Sequence, residues 1–223
     1  MNVLITGVDR PLGKCLMGRL AGRFTLRGVA CRPTGGGPDT PEVDLRCADS
    51  VAPHLAGVDA VLHLAEYDPA PVAGKNPEQE VLDRAARGTY VLLGEAVRAG
   101  VDRIVLASRL SLMAGYPDDY VIDEMWKPRP GASADDLAPH MAEIVCREFA
   151  REGGIRAVCL RFGALDAPDG TRQDDAVCAV SAALELSFES PGYRWHVCHV
   201  SSSPRFPMRA ARSLLGMGEG GAR

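Results

Sequence analysis

The first twenty residues, MNVLITGVDRPLGKCLMGRL, constrain the fold more than any other stretch of this chain. Residues 2–6 carry no charge and are mostly β-branched or aliphatic, the composition of a strand buried on both faces of a parallel sheet. Gly7 ends the run. From there Leu12, Cys15, Leu16 and Leu20 recur at helical spacing, so a helix would lay one apolar stripe on that sheet. The product is a strand, a tight turn and a helix.

In such a unit the first N–H groups of the helix, and the positive end of its dipole, lie at the carboxyl edge of the sheet, where a pyrophosphate can sit. Gly7 permits the turn and Gly13 lets the helix approach the strand closely. Asp9, Arg10 and Leu12 complete the phosphate-facing turn. The dinucleotide fingerprint has another glycine midway, and Arg10 takes its place. Its guanidinium either clamps the pyrophosphate or blocks it. A plain strand–turn–helix unit without ligand is the alternative reading of the same residues.

With 223 residues the chain has the length for one sizeable α/β domain, expected over residues 1–216, with a disordered Gly-rich tail over 217–223. The 25 basic against 29 acidic side chains leave a net charge of −4, which argues against a general nucleic-acid surface. Seven cysteines contain no C-x-x-C pair, so neither a metal site nor a disulfide framework is expected, and most read as small core residues of a reducing interior. No apolar run reaches membrane-spanning length and the first strand starts at once, so the expectation is a cytoplasmic protein.

Further strands are expected over 25–31, 41–44, 60–64, 103–108, 155–162 and 193–200, and helices over 76–100, 137–152, 176–186 and 210–215. Alternation of this kind calls for a doubly wound parallel sheet with helices on both faces. Arg32, at the tip of the second strand, mildly favours NADP over NAD, unless it is a solvated loop residue. His63 interrupts an apolar strand and reads as a hydrogen-bonded sheet residue. Ser108 ends strand 103–108 at the edge where such sheets put their chemistry.

Four segments, LITGVDRPLG, GVDAVLHLAE, GTYVLLGEAVRAGVDRIVLAS and IRAVCLRFGAL, together resemble the extended short-chain dehydrogenase/reductases of the NAD-dependent epimerase/dehydratase type. The closing part, through GYRWHVCHVSSSPRFPMRAARSLLG, looks like the uronate dehydrogenase branch, with an abbreviated C-terminal substrate region. The resemblance implies a Rossmann sheet, bound NAD or NADP, and hydride chemistry on a small sugar-like substrate. It places Gly7, Arg10 and Gly13 at the pyrophosphate, Asp44 and Leu45 at the adenine, and Leu64, Ala65 and Glu66 beside the nicotinamide-side ribose. It also implies a homodimer through helices 76–100 and 137–152.

The family's catalytic residues do not carry over. Aligning Glu143 with the Glu that follows the family's Tyr-x-x-x-Lys puts that pair on Asp135 and Pro139. A carboxyl near its usual pKa has no proton to give at neutral pH, and proline has no amine. The family's Asn falls on Ala85, and its Ser-Ser on Ser108-Arg109. Ser108 thus stays a candidate in place, and shifted candidates are Ser111 for the hydroxyl, Tyr116 or Tyr120 for the phenol and His140 for the cation. The expectation is therefore a dinucleotide-binding protein without the standard Tyr/Lys catalysis. The alternatives are a working oxidoreductase or epimerase on a sugar acid with a non-standard acid, and a scaffold whose nucleotide site Arg10 closes. The short stretch between Arg161 and Ala176 predicts an open or truncated substrate side beside Ser108.

Overall fold

Our computed structural model describes residues 1–31, 40–64, 76–188, 192 and 194–218. In chain order its strands and helices are β1 (Asn2–Thr6), α1 (Pro11–Leu20), β2 (Thr25–Val29), α2 (Ala48–Val51), β3 (Ala60–Leu64), α3 (Pro77–Asp83), α4 (Thr89–Arg98), β4 (Arg103–Arg109), α5 (Ala134–Arg151), β5 (Arg156–Phe162), α6 (Gln173–Glu185), β6 (Trp195–Val200) and α7 (Arg209–Leu215). The six strands form one parallel sheet in the order β2-β1-β3-β4-β5-β6. Parallel strands need helical crossovers, and these cover both faces.

Alternate residues of each strand feed two separate cores. Leu4, Val61, Ile104, Leu106 and Ala157 pack beneath α3, α4 and α5, whereas Ile5, Leu62, Val105, Val158 and Leu160 pack beneath α1, α6 and α7. Both sets are buried, which is why these strands read as unbroken apolar runs.

Departures from expectation have local causes. Residues 41–44 do not form a strand but a single bridge between Ala30 and Glu42: Pro41 has no N–H to donate, and Asp44 already turns back to accept from the Arg46 N–H at 3.0 Å. The helix expected over 76–100 is present, capped by Asn76 on the Glu78 N–H at 2.9 Å, but a π-turn at Arg84–Gly88 interrupts it. Helix α5 starts earlier than residue 137, because Ser133 caps it by accepting from the Asp136 N–H at 3.2 Å. Met217, placed in the expected tail, is buried against the α1, α6 and α7 core.

His63 does what its place in the strand predicts. Its ring nitrogens meet Thr6 Oγ1 at 2.8 Å and Thr89 Oγ1 at 3.0 Å, joining β1, β3 and α4. Burial pushes its pKa down to about 4, so the imidazole is neutral and serves as one donor and one acceptor.

Candidate functional site

The carboxyl edge of the sheet carries two groups of residues. At the β1–α1 turn, Gly7 stands at φ +75° and its N–H donates to Val29 at 2.8 Å. A Cβ on Gly13 would lie 2.5 Å from the Gly7 oxygen and 2.7 Å from Val8 Cα, so no other residue fits without moving backbone. Pro11 opens α1, no side chain caps it and no acidic residue stands in its first turn. Those are the requirements of a phosphate cradle, and the residues present fit a dinucleotide.

Leu12 buries its side chain in the core and offers only backbone to this turn. Asp9 accepts from the Cys31 N–H at 3.2 Å and stands 3.5 Å from Arg10 Nε, tying the turn and its arginine to the end of β2. Burial, with Asp9 beside it, pushes the Cys31 thiol up to about 12, which leaves it inert. Leu64 ends β3 next to Gly7, where its carbonyl would be 3.4 Å from an added Cβ. Asp44 is gripped by Arg46 at 2.9 and 3.0 Å, and this pairing holds its carboxyl below the usual range. Arg46 also reaches Glu80 at 2.9 Å and Asp83 at 3.1 Å. Leu45 packs against Gly88 of the π-turn, and Ala85, where the family has Asn, is fully buried in the same turn. Arg32, Ala65 and Glu66 lie outside the described residues.

At the β4–β6 end, Ser108, Arg161 and His199 stand in register across three neighbouring strands. Glu143, from α5, binds the first two: Ser108 Oγ donates at 2.7 Å, Arg161 Nε at 2.8 Å and Arg161 Nη2 at 2.7 Å. Both charged side chains are about one-twentieth exposed. Burial opposes Arg161's charge, but Glu143 outweighs it and raises the pKa. Among the described residues Arg161 Nη1 meets only the Met113 sulfur, at 3.7 Å.

His199 is completely buried, its ring edge-on to Phe206 at 5.8 Å and its backbone N–H donating to Glu124 at 3.3 Å. Glu124 also accepts from the Ala210 N–H at 3.0 Å, joining the long loop to α7. Arg205 donates to the Tyr116 carbonyl at 2.8 Å and pairs with Asp118, while its Nε is buried without a partner.

The sequence candidates do not all converge. Ser108 is at the centre, 2% exposed, with its hydroxyl given to Glu143. Ser111 is exposed on the following turn. Tyr116 donates to the Lys127 carbonyl at 2.9 Å, lies edge-on to Trp126 at 5.0 Å and has Arg129 over its ring, so its phenol serves the loop. Tyr120, also edge-on to Trp126, is exposed. Asp135 is exposed and Pro139 buried within α5, one helical turn apart. Pro139 lacks the N–H that would have bonded the Asp135 carbonyl. Beside this expected open side, Met113 meets Arg161, Phe206 lies against the His199 ring and Glu124 accepts from the His199 backbone N–H. Sequence reasoning passed over His199, Glu124 and Arg205. His199 alone left a signal, a polar residue in the apolar end of its strand.

A parallel sheet with a glycine-built phosphate turn at its edge defines a Rossmann-type dinucleotide-binding protein. Residues 3–191 match the NAD dependent epimerase/dehydratase family, and the chain belongs to it. Among its relatives is the uronate dehydrogenase of Pseudomonas putida KT2440, 29% identical over 167 residues, which are 73% of this chain and 60% of that protein. The chain thus spans about three-fifths of the length of that relative. Among solved structures it is similar to the uronate dehydrogenase of Agrobacterium tumefaciens, with TM-score 0.77 at 23% identity over 96% of this chain and 82% of that one. It is equally similar to MoeE5 in complex with UDP-glucuronic acid and NAD, at TM-score 0.77 and 21% identity over 100% and 95%.

Proposed function

We propose that this protein binds NAD at the Gly7 to Gly13 turn and a small sugar acid at the β4–β6 edge, and that it does not run the Tyr–Lys proton transfer of its family. One observation carries the last part: positions 135 and 139 hold an exposed carboxylate and a buried proline, while the Ser108 hydroxyl already belongs to Glu143. NAD bound there would supply the hydride acceptor. Arg205 supports the sugar-acid part, since its buried Nε–H has no partner among the described residues and can give a carboxylate a charge-assisted hydrogen bond. The matched uronate dehydrogenases agree with that ligand class.

A working oxidoreductase is the second reading, favoured by the imidazoles of His140 and His199 at this edge. Two measurements decide. NADH and NADPH are titrated by fluorescence, with enhancement expected for NADH. Absorbance at the reduced-cofactor band is followed with NAD and D-glucuronate or D-galacturonate, and no turnover is expected. Steady uronate-dependent NADH formation sinks the non-catalytic reading. In the first assay Arg10→Ala should weaken NADH by about 1.5–3 kcal/mol, the range for hydrogen bonds to charged groups. Unchanged or tighter binding would remove Arg10 as a clamp.

The same reading includes a homodimer through the α3–α4 and α5 helices, supported by Tyr90, 61% exposed on α4 and edge-on to Phe149, and by exposed Ile144 on α5. All seven cysteines are free thiols, which suits a reducing cell interior, and no helix among the described residues is long and apolar enough to cross a membrane.

A further inference from the structure

Among the described residues, five buried side-chain nitrogen or oxygen atoms have no hydrogen-bond partner, and four of them lie at one edge: Nδ1 of His140, both ring nitrogens of His199 and Nε of Arg205. Folded chains partner nearly all such atoms, because an unmade hydrogen bond leaves the desolvation of the group uncompensated. All four are free to meet a group that comes from outside the chain.

The geometry is specific. His199 faces the α5 side of the sheet, in register with Arg161, and is sealed by Phe206 and the Glu124 strap. His140 sits three residues before Glu143 on α5, so both share a helix face. Arg161 and Glu143 satisfy one another, and the remaining Nη1 of Arg161 has only a thioether. A lone anion is a poor match for two neutral imidazoles. Nor does any group of three His, Cys, Asp or Glu among the described residues stand ready to hold a metal ion. A neutral imidazole presents one donor and one acceptor, which is the complement of a hydroxyl group.

We propose that His199 and His140 bind the hydroxyl groups of a sugar acid at the carboxyl edge of β5 and β6, with the carboxylate directed to Arg205. The inference rests on the sugar-acid part of the proposed function, and not on whether the protein turns its ligand over. Entry requires the loop over residues 116–126 to part from residues 203–209. What joins them includes the exposed pairs Arg205–Asp118 and Arg209–Asp123, which contribute little when solvated, and the bond from the Ile122 N–H to the Arg205 carbonyl.

The test uses protein saturated with NADH, titrated calorimetrically with D-glucuronate and D-galacturonate, alongside long-range ¹⁵N NMR of the histidine rings. Both uronates should bind and shift the ring nitrogens of His199. His199→Leu, close to it in volume, should weaken each by roughly tenfold or more, and His140→Leu by several-fold, with NADH affinity unchanged. The same His199→Leu should raise Tm by about 2 °C, because an unpartnered polar group leaves the core; a structural histidine would give the opposite sign. Uronate binding that survives both substitutions, or a wild type whose His199 nitrogens hold their shifts at saturation, overturns the inference and leaves the sugar-acid reading standing. Wild-type protein that binds NADH but neither uronate overturns both. If His199→Leu does not fold, the wild-type ring shifts decide.

Discussion

At the β1–α1 turn the chain offers backbone: a glycine at φ +75°, a second whose added Cβ would lie 2.5 Å from the first one's oxygen, and an uncapped helix start. At the β4–β6 end it offers side chains: a buried Ser–Glu–Arg network flanked by histidines without partners. A site made of backbone depends on space and dihedral angles, and Gly7 and Gly13 keep both with Arg10 in a glycine's place. A site made of side chains has no such template. There the proposed reading puts the family's acid and activator at Asp135 and Pro139, above a Glu143 network that is complete.

The largest effect should come from breaking that network. Arg161→Met leaves Glu143 charged and unpaired in a dry interior and should cost about 3–5 kcal/mol in urea unfolding. A loss under about 1 kcal/mol would mean that Glu143 finds other support, and the two ends would then be equally tolerant. Next, Pro139→Ala gives the Asp135 carbonyl its missing donor within α5 and should stabilise by up to about 3 kcal/mol. No gain in the urea midpoint would show that the buried proline ring compensates by packing.

The smallest effect, taken per pH unit, compares the two histidines directly. His63 and His199 both titrate near pH 4 when folded, against about 6.5 when unfolded. Between those values the unfolded chain takes up protons that the folded one refuses. Stability therefore falls as pH drops from about 6.5 to 4, by about 1.4 kcal/mol per unit for each histidine, and this loss levels off below 4. Burial is the main cause for both. For His199, Arg161 adds to it and Glu143 and Asp123 oppose it, while Glu124 holds only the backbone N–H. Thermal unfolding of His199→Leu across that range should show one histidine's share of the slope removed. An unaltered slope would assign the acid sensitivity elsewhere.

Much of the fold was legible because its signals are local. Residues 2–6, 103–108 and 155–162 are apolar runs that end at turn residues, and their strands begin and end within a residue of expectation. Residues 41–44 misled because a strand needs a neighbour along its length, and Pro41 and Asp44 allowed only one paired residue. The nucleotide turn was likewise local. The other end was not: Ser108 meets Glu143 across 35 residues, His199 meets Glu124 across 75 and Arg205 meets Tyr116 across 89.

Chain order alone settled the alternation of strand and helix, the glycine turn, and the absence of a tyrosine and a lysine at positions 135 and 139, since each is a matter of residue type at short spacing. Which polar atoms are satisfied and which are left waiting emerged only once β4, β5, β6, α5 and the 112–126 loop were brought together. Hydrogen bonds and ion pairs depend on distances of about 3 Å between groups remote in sequence, and no local pattern encodes those distances.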